Sequence, residues 1–110
     1  MLLPNGDQAV VEDAKLLDYC LSTTHPRGRH KARLFASALG ITAQHAGELK
    51  AALLTAARSA DATPTRTSAF GQFYEIRFPL SGPARTADVL SVWIVADPAS
   101  PPRLVTCYPL

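Results

Sequence analysis

An α+β domain, with N-terminal helices packed on one face of a C-terminal antiparallel β-meander, is the fold class this sequence predicts. Two observations carry that expectation. The chain changes character near residue 60, from alanine- and leucine-rich to rich in β-branched and aromatic residues. The segments between the later apolar runs are also too short to hold crossover helices, so those runs should pair antiparallel. With 110 residues, 47% of them hydrophobic, the chain is expected to form one domain over 1–110 around one core. The helical part should cover about 12–59 and the sheet part about 70–110.

Taken in order, Val10 and Val11 suit a short edge strand, a possible fourth member of the sheet. Leu16, Leu17, Cys20 and Leu21 make a short helical stripe, led in by Glu12 and Asp13 where a helix favours negative charge. A second helix should start near Gly28, bury Ala32, Phe35, Ala36 and Leu39, and stop at Gly40. Thr42 is placed to cap a third, whose stripe is Ala46, Leu49, Leu53 and Ala57. His45, in the first turn of that helix, reads as structural. The segment 61–68, with Pro64 and several threonines, reads as loop. Three strands follow at roughly 72–78, 89–96 and 103–108, punctuated by Ser81-Gly82-Pro83 and by the proline-rich stretch from Asp97 to Pro102.

Alternation then assigns faces. Tyr74, Ile76 and Phe78, then Leu90, Val92 and Ile94, then Val105 and Cys107, are the expected core side. The opposite face should display Glu75, Arg77, Ser91, Trp93, Thr106 and Tyr108. A carboxylate, a guanidinium, hydroxyls, a phenol and an indole on one face form an unusual set for a merely solvated surface.

Net charge is only +2, too little for the whole molecule to act as a polyelectrolyte binder. The charge is instead concentrated. His25-Pro26-Arg27-Gly28-Arg29-His30-Lys31-Ala32-Arg33 holds three arginines, a lysine and two of the three histidines. Such a cluster repels itself unless something anionic neutralises it. It sets groups that titrate near neutrality beside cations able to grip phosphate. No apolar run reaches the length of a membrane helix, so no membrane partner is expected. The opening Met1–Gly6 has no basic start of the kind a secretion signal needs and reaches a turn at once. Cys20 and Cys107 lie in apolar segments without metal-ligand spacing, which suits buried free thiols more than a disulfide. A cytoplasmic site of action, no metal and no cofactor are the corresponding expectations.

RNA cleavage by 2′-hydroxyl attack requires a base, an acid and cations to hold the phosphorane charge, and it needs no metal. His25 and His30 are candidates for acid or base, with Glu75 an alternative base. Lys31 and Arg27 can clamp phosphate, as can Arg77, with Arg29 and Arg33 adding to substrate binding. Thr106 and Tyr108 can hydrogen-bond the scissile group, and Trp93 offers a platform for an unstacked base.

The segments HPRGRHKARLF (25–35), FGQFYEIRFPL (70–80), VWIV (92–95) and PRLVTCYPL (102–110) resemble those of a family of small bacterial proteins whose motif order spans nearly the whole chain. The helices-then-sheet layout and the closing Thr106-Cys107-Tyr108-Pro109 also resemble the barnase–EndoU–colicin–RelE superfamily of metal-independent ribonucleases. That second resemblance implies a toxin with a neutralising partner. It also implies that His25 or His30 matches the catalytic histidine, Lys31 the basic residue, Thr106 the hydroxyl and Tyr108 the aromatic. The chain departs from the usual pattern of two histidines in separate segments, so the acid and base are not assigned between them. The resulting expectation is a metal-independent endoribonuclease acting on RNA and held in check by a small acidic antitoxin or immunity protein. The alternative is a non-catalytic module that binds nucleic acid or an acidic protein through residues 25–33.

Overall fold

The computed structural model describes residues 1–110. Its second half is a four-stranded antiparallel sheet in the order β1-β2-β3-β4, with β1 Ala62–Ser68, β2 Gly71–Ser81, β3 Thr86–Val95 and β4 Arg103–Pro109. The helices precede it: a short α1 (Asp13–Lys15) running into a π-helical turn (Leu16–Cys20), then α2 (Gly28–Leu39) and α3 (Ala46–Ser59). The fold class is therefore α+β, as the composition shift implies. No helix is long and apolar enough to cross a membrane.

The helices form where their apolar stripes predict. Ala32, Phe35 and Leu39 of α2 are buried, and Gly40 closes the helix in the left-handed conformation (φ 74°), donating its N–H to the Ala36 carbonyl. Ala36 is exposed, as is Leu17, so these two stripes are narrower than the sequence suggested. Leu49, Leu53, Ala56 and Ala57 of α3 are buried. Ahead of α3, the Thr42 N–H donates to His45 Nδ1 at 3.0 Å, so His45 is a capping residue. Its structural reading holds.

Two expectations about the sheet are corrected. Residues 62–68 are a strand, not a loop. The pairings Ala62↔Ile76 and Thr63↔Glu75 attach this segment to β2, and of its side chains only Ala62 is buried. Backbone pairing and a few polar contacts, such as Thr65 Oγ1 donating to the Phe73 carbonyl, hold this edge, so it leaves no hydrophobic alternation to read, and an edge tolerates Pro64. Val10, by contrast, makes only one bridge, donating to the Pro102 carbonyl at 2.8 Å and accepting from the Leu104 N–H at 3.0 Å.

The second correction inverts β3. Val89, Ser91, Trp93 and Val95 point into the core, and Leu90, Val92 and Ile94 sit half-buried on the other face. Both parities of this strand are largely apolar, so alternation alone could not choose. Ser91 and Trp93 can be buried because they satisfy each other. Trp93 Nε1 donates to Ser91 Oγ at 2.9 Å, and Ser91 Oγ donates to the Ile76 carbonyl at 3.1 Å. In β4 the register shifts between Val92↔Thr106 and Trp93↔Leu104, leaving Val105 as the extra residue. Leu104 and Cys107, rather than Val105, therefore join the core.

Candidate functional site at the β4 edge

The basic segment begins α2, and its local geometry is set by a close approach. A Cβ at Gly28 would lie 2.0 Å from the Tyr19 carbonyl oxygen, so only glycine lets the start of α2 press on the π-helical turn. That turn is closed by the Leu21 N–H donating to the Leu16 carbonyl at 2.8 Å. It directs Tyr19 toward α2 and Cys20 toward β4.

His25 is fixed as the cap of this junction. Its Nδ1 accepts from the N–H groups of Arg27 and Gly28, both at 3.0 Å, and its carbonyl accepts from the Arg29 N–H at 3.0 Å. The ring packs edge-on against Tyr19, with centroids 4.9 Å apart. Although it precedes Pro26 outside α2, His25 is thus held at the helix start and is not free to reach over the sheet. A ring accepting at Nδ1 carries its hydrogen on Nε2, which is left as a donor. His30 is exposed and makes no side-chain hydrogen bond.

Lys31 is the centre of the arrangement. Half-buried, its Nζ donates to Tyr19 Oη at 3.3 Å, lying 5.2 Å from the Tyr19 ring centroid and 5.7 Å from that of Tyr108. Lys15 stands 5.7 Å from the Tyr19 ring. Thr106, next but one to Tyr108, has its Oγ1 3.9 Å from Cys20 Sγ. The π-helical turn, the start of α2 and the distant strand β4 thus place Tyr19, His25, Lys31, Thr106 and Tyr108 along one edge of the sheet. A recess of about 350 Å³, lined by Glu12, Ala14, Lys15, Asp18, Tyr19 and His25, opens beside them.

Sequence reasoning missed Tyr19, which lies twelve residues before Lys31 in a segment read only for its helical stripe of Leu16, Leu17, Cys20 and Leu21. The available signal was Gly28, whose lack of a side chain announces a close neighbour.

No ion pair compensates the cations of the basic run, and the acidic groups nearest the site, Glu12 and Asp18, line the recess. The ion pairs in the structure join Met1 to Asp61, Lys50 to Asp13 and Arg103 to Glu12. Arg27, Arg29, Lys31 and Arg33 have no acidic partner, and the first turn of α2 contains no acidic residue. Cations at the positive end of a helix dipole are unfavourable unless an anion joins them.

The other expected site residues are not all brought here. Trp93 is fully buried, so it cannot serve as a base-stacking platform; the indole is a core residue. Glu75 and Arg77 do share a face with Thr106 and Tyr108. The pairings set Glu75, Val92 and Thr106 in one row and Arg77, Leu90 and Tyr108 in another. Two strand spacings, about 10 Å, separate the members at the ends of each row. Glu75 and Arg77 instead line a separate recess with Asp61, Thr63 and Leu90. A further recess of about 450 Å³ lies by Leu17, Ala32, Ala36 and Ile41 and carries no ionisable side chain. No cluster of three or more histidine, cysteine or acidic side chains is arranged to hold a metal.

Behind the edge, Cys20 and Cys107 are fully buried free thiols. A hydrogen bond from Cys107 lowers the Cys20 thiol to about 7 against the opposing effect of burial, with smaller help from Thr106 and Lys31. The same hydrogen bond, together with burial, pushes Cys107 well above its ordinary value.

Compared with known proteins, residues 2–110 match the model of a family described as a domain of unknown function (DUF6883), and the chain belongs to that family. No curated protein and no solved structure matches the chain.

Proposed function

We propose that this member of the DUF6883 family is a metal-independent ribonuclease whose reacting phosphate sits against Lys31, between Tyr19 and Tyr108. The observation that carries the reading is the convergence of an unpaired lysine, two phenols and a histidine N–H donor at the positive end of α2. In such a site the 2′-hydroxyl attacks phosphorus, the P–O5′ bond breaks, and a 2′,3′-cyclic phosphate forms. Lys31 holds the charge that develops on the non-bridging oxygens, and His25 Nε2–H supplies a second donor. Tyr19, already accepting from Lys31, keeps its own hydroxyl hydrogen for the substrate. His30, the exposed imidazole one residue from Lys31, takes the 2′-hydroxyl proton and then gives it to the departing 5′-oxygen. Arg27, Arg29 and Arg33 bind flanking phosphates. The kinship with the barnase–EndoU–colicin–RelE toxins, and with it an acidic antitoxin covering this basic surface, belongs to the same proposal and rests on the motif resemblance.

The test is incubation of purified protein with cellular RNA in EDTA. Cleavage leaving 2′,3′-cyclic phosphate ends supports the reading; strict dependence on a divalent ion, or no cleavage of any RNA, overturns it.

One observation favours a second reading, a non-catalytic nucleic-acid module. His25 Nδ1 is committed to the backbone, while Arg27, Arg29 and Arg33 are exposed and unpaired. Such a module binds RNA without cleaving it, with an affinity that falls steeply as salt rises.

A further inference from the structure

We infer that the recess beside Lys31 is a guanine site, which takes the base on the 5′ side of the reacting phosphate and selects it through Asp18. This placement rests on the ribonuclease reading, which sets the phosphate against Lys31. Glu12 and Asp18 line the recess next to the basic run, where a carboxylate repels the phosphate that the run attracts. Glu12 is occupied, since its Oε1 accepts from Arg103 Nη2 at 2.5 Å. Asp18 is exposed and joins no ion pair, not even with Lys15 three residues before it. A free carboxylate beside a phosphate site weakens every nucleotide except one whose base brings hydrogen-bond donors to it.

The rest of the lining suits such a base. Tyr19 and His25, half-buried and edge-on to each other, give the recess aromatic surface on which any base can lie. Lys15 lines the same recess, its Nζ 5.7 Å from the Tyr19 ring centroid, and it too has no ion-pair partner. One turn of helix therefore offers a cationic donor and a two-oxygen acceptor. Guanine carries the complement on its Watson–Crick edge, which runs from the O6 acceptor to the N1–H and N2–H donors. Lys15 donates to O6, and the two oxygens of Asp18 accept from N1–H and N2–H, a charge-assisted bidentate pair. Adenine and cytosine set one amino group beside a bare ring nitrogen, whose lone pair opposes the second carboxylate oxygen. Uracil has one N–H flanked by two carbonyls.

Tyr19 joins the two halves of the ligand. Its ring lines the recess, and its hydroxyl accepts from Lys31 at 3.3 Å, so base and phosphate sit on two sides of one phenol. The volume of about 350 Å³ falls within the range of small-molecule sites.

The experiment is titration of the full-length protein with the four nucleoside 3′-monophosphates, followed by calorimetry. 3′-GMP should bind about tenfold more tightly than 3′-AMP, 3′-CMP or 3′-UMP. Asp18→Asn turns one acceptor oxygen into a donor and should bring 3′-GMP down to the level of the other three. Inosine 3′-monophosphate, which lacks only the 2-amino group, tests the same contact in the unaltered protein and should bind severalfold more weakly than 3′-GMP. Equal affinity for the four nucleotides, no binding of any, or a guanine preference that survives Asp18→Asn overturns the inference. Mapping of RNA fragment ends separates this site from the reaction. Fragments ending in guanosine 2′,3′-cyclic phosphate support both. Cleavage after all four bases without a 3′-GMP preference removes the guanine site and leaves the ribonuclease. Selective, Asp18-dependent binding of 3′-GMP without any cleavage upholds the guanine site and removes the ribonuclease.

Discussion

Lys31 Nζ donates to Tyr19 Oη at 3.3 Å, although Lys31 lies in α2 and Tyr19 in the preceding π-helical turn. The contact exists because Gly28 lets the two backbones touch and because His25 clamps the first turn of α2. It converts a basic run that reads as a solvated helix start into one cation held at a defined point.

Lys31→Met keeps the aliphatic stem that packs between the rings and removes the charge. RNA cleavage should fall by about 10² to 10³, the scale for losing a stabiliser of transition-state charge. Thermal unfolding should change little. Full activity in a folded Lys31→Met protein would place the chemistry elsewhere.

His25 and His30 should separate by what they affect. His25→Ala removes the acceptor for two N–H groups of α2 and should cost about 1 kcal/mol in urea unfolding, as capping residues do. His30→Ala, exposed and without a hydrogen bond, should leave stability within about 0.5 kcal/mol of the parent. Its cleavage rate should drop by about a hundredfold. The reverse pattern would exchange their roles.

Gly28→Ala puts a methyl group against the Tyr19 carbonyl, where a Cβ has 2.0 Å. Backbone cannot yield as a flexible side chain does, so the start of α2 must move. The expected cost is about 1–3 kcal/mol, with loss of the Tyr19–His25 ring contact. Two-dimensional NMR of the His25 ring protons checks it, since they lose the ring-current shift from Tyr19.

Ser91→Ala leaves Trp93 Nε1–H buried without its acceptor. The penalty should be about 1–3 kcal/mol, more than a small surface change would cause. Ser91→Thr retains the hydroxyl and should recover part of it if the extra methyl fits. A neutral Ser91→Ala measured by denaturant titration would mean that the indole finds water.

The thiol pair sets a pH dependence. Cys20 is lowered from 9.0 to about 7 in the folded chain, so between these values the unfolded state binds more protons than the native state. Stability should therefore rise from pH 7 to 9, by on the order of 2 kcal/mol, and the gain should be lost as pH falls through 7. Above 9 the raised Cys107 thiol acts with the opposite sign, and the rise should end. Cys20→Ser should flatten the profile measured by urea titration across this range.

The helices were legible because their signals are local. An apolar stripe at helical spacing, Gly40 as the stop and Thr42 with His45 before α3 each act within a few residues. The β2–β3–β4 meander was legible for the same reason, since short connections leave antiparallel pairing as the only route. The basic run at 25–33 was equally plain as a concentration of charge. What could not be read was anything that depended on which partner a residue meets. β1 carries no hydrophobic pattern, because it is held by its backbone against β2 and exposes nearly every side chain.

The sequence by itself determined the α+β class, the approximate extent of the helices and the position of the concentrated charge, since periodicity, turns and local composition are short-range properties of the chain. Tertiary structure alone decided which face of β3 turned inward. Leu90, Val92 and Ile94 are as apolar as the alternative, and only the mutual hydrogen bonding of Ser91 and Trp93 under the helices makes their burial the satisfied choice. It also decided the candidate site. Tyr19, Lys31 and Tyr108 meet because β4 is an edge strand that α2 and the π-helical turn can reach, and chain distance gives no measure of that approach.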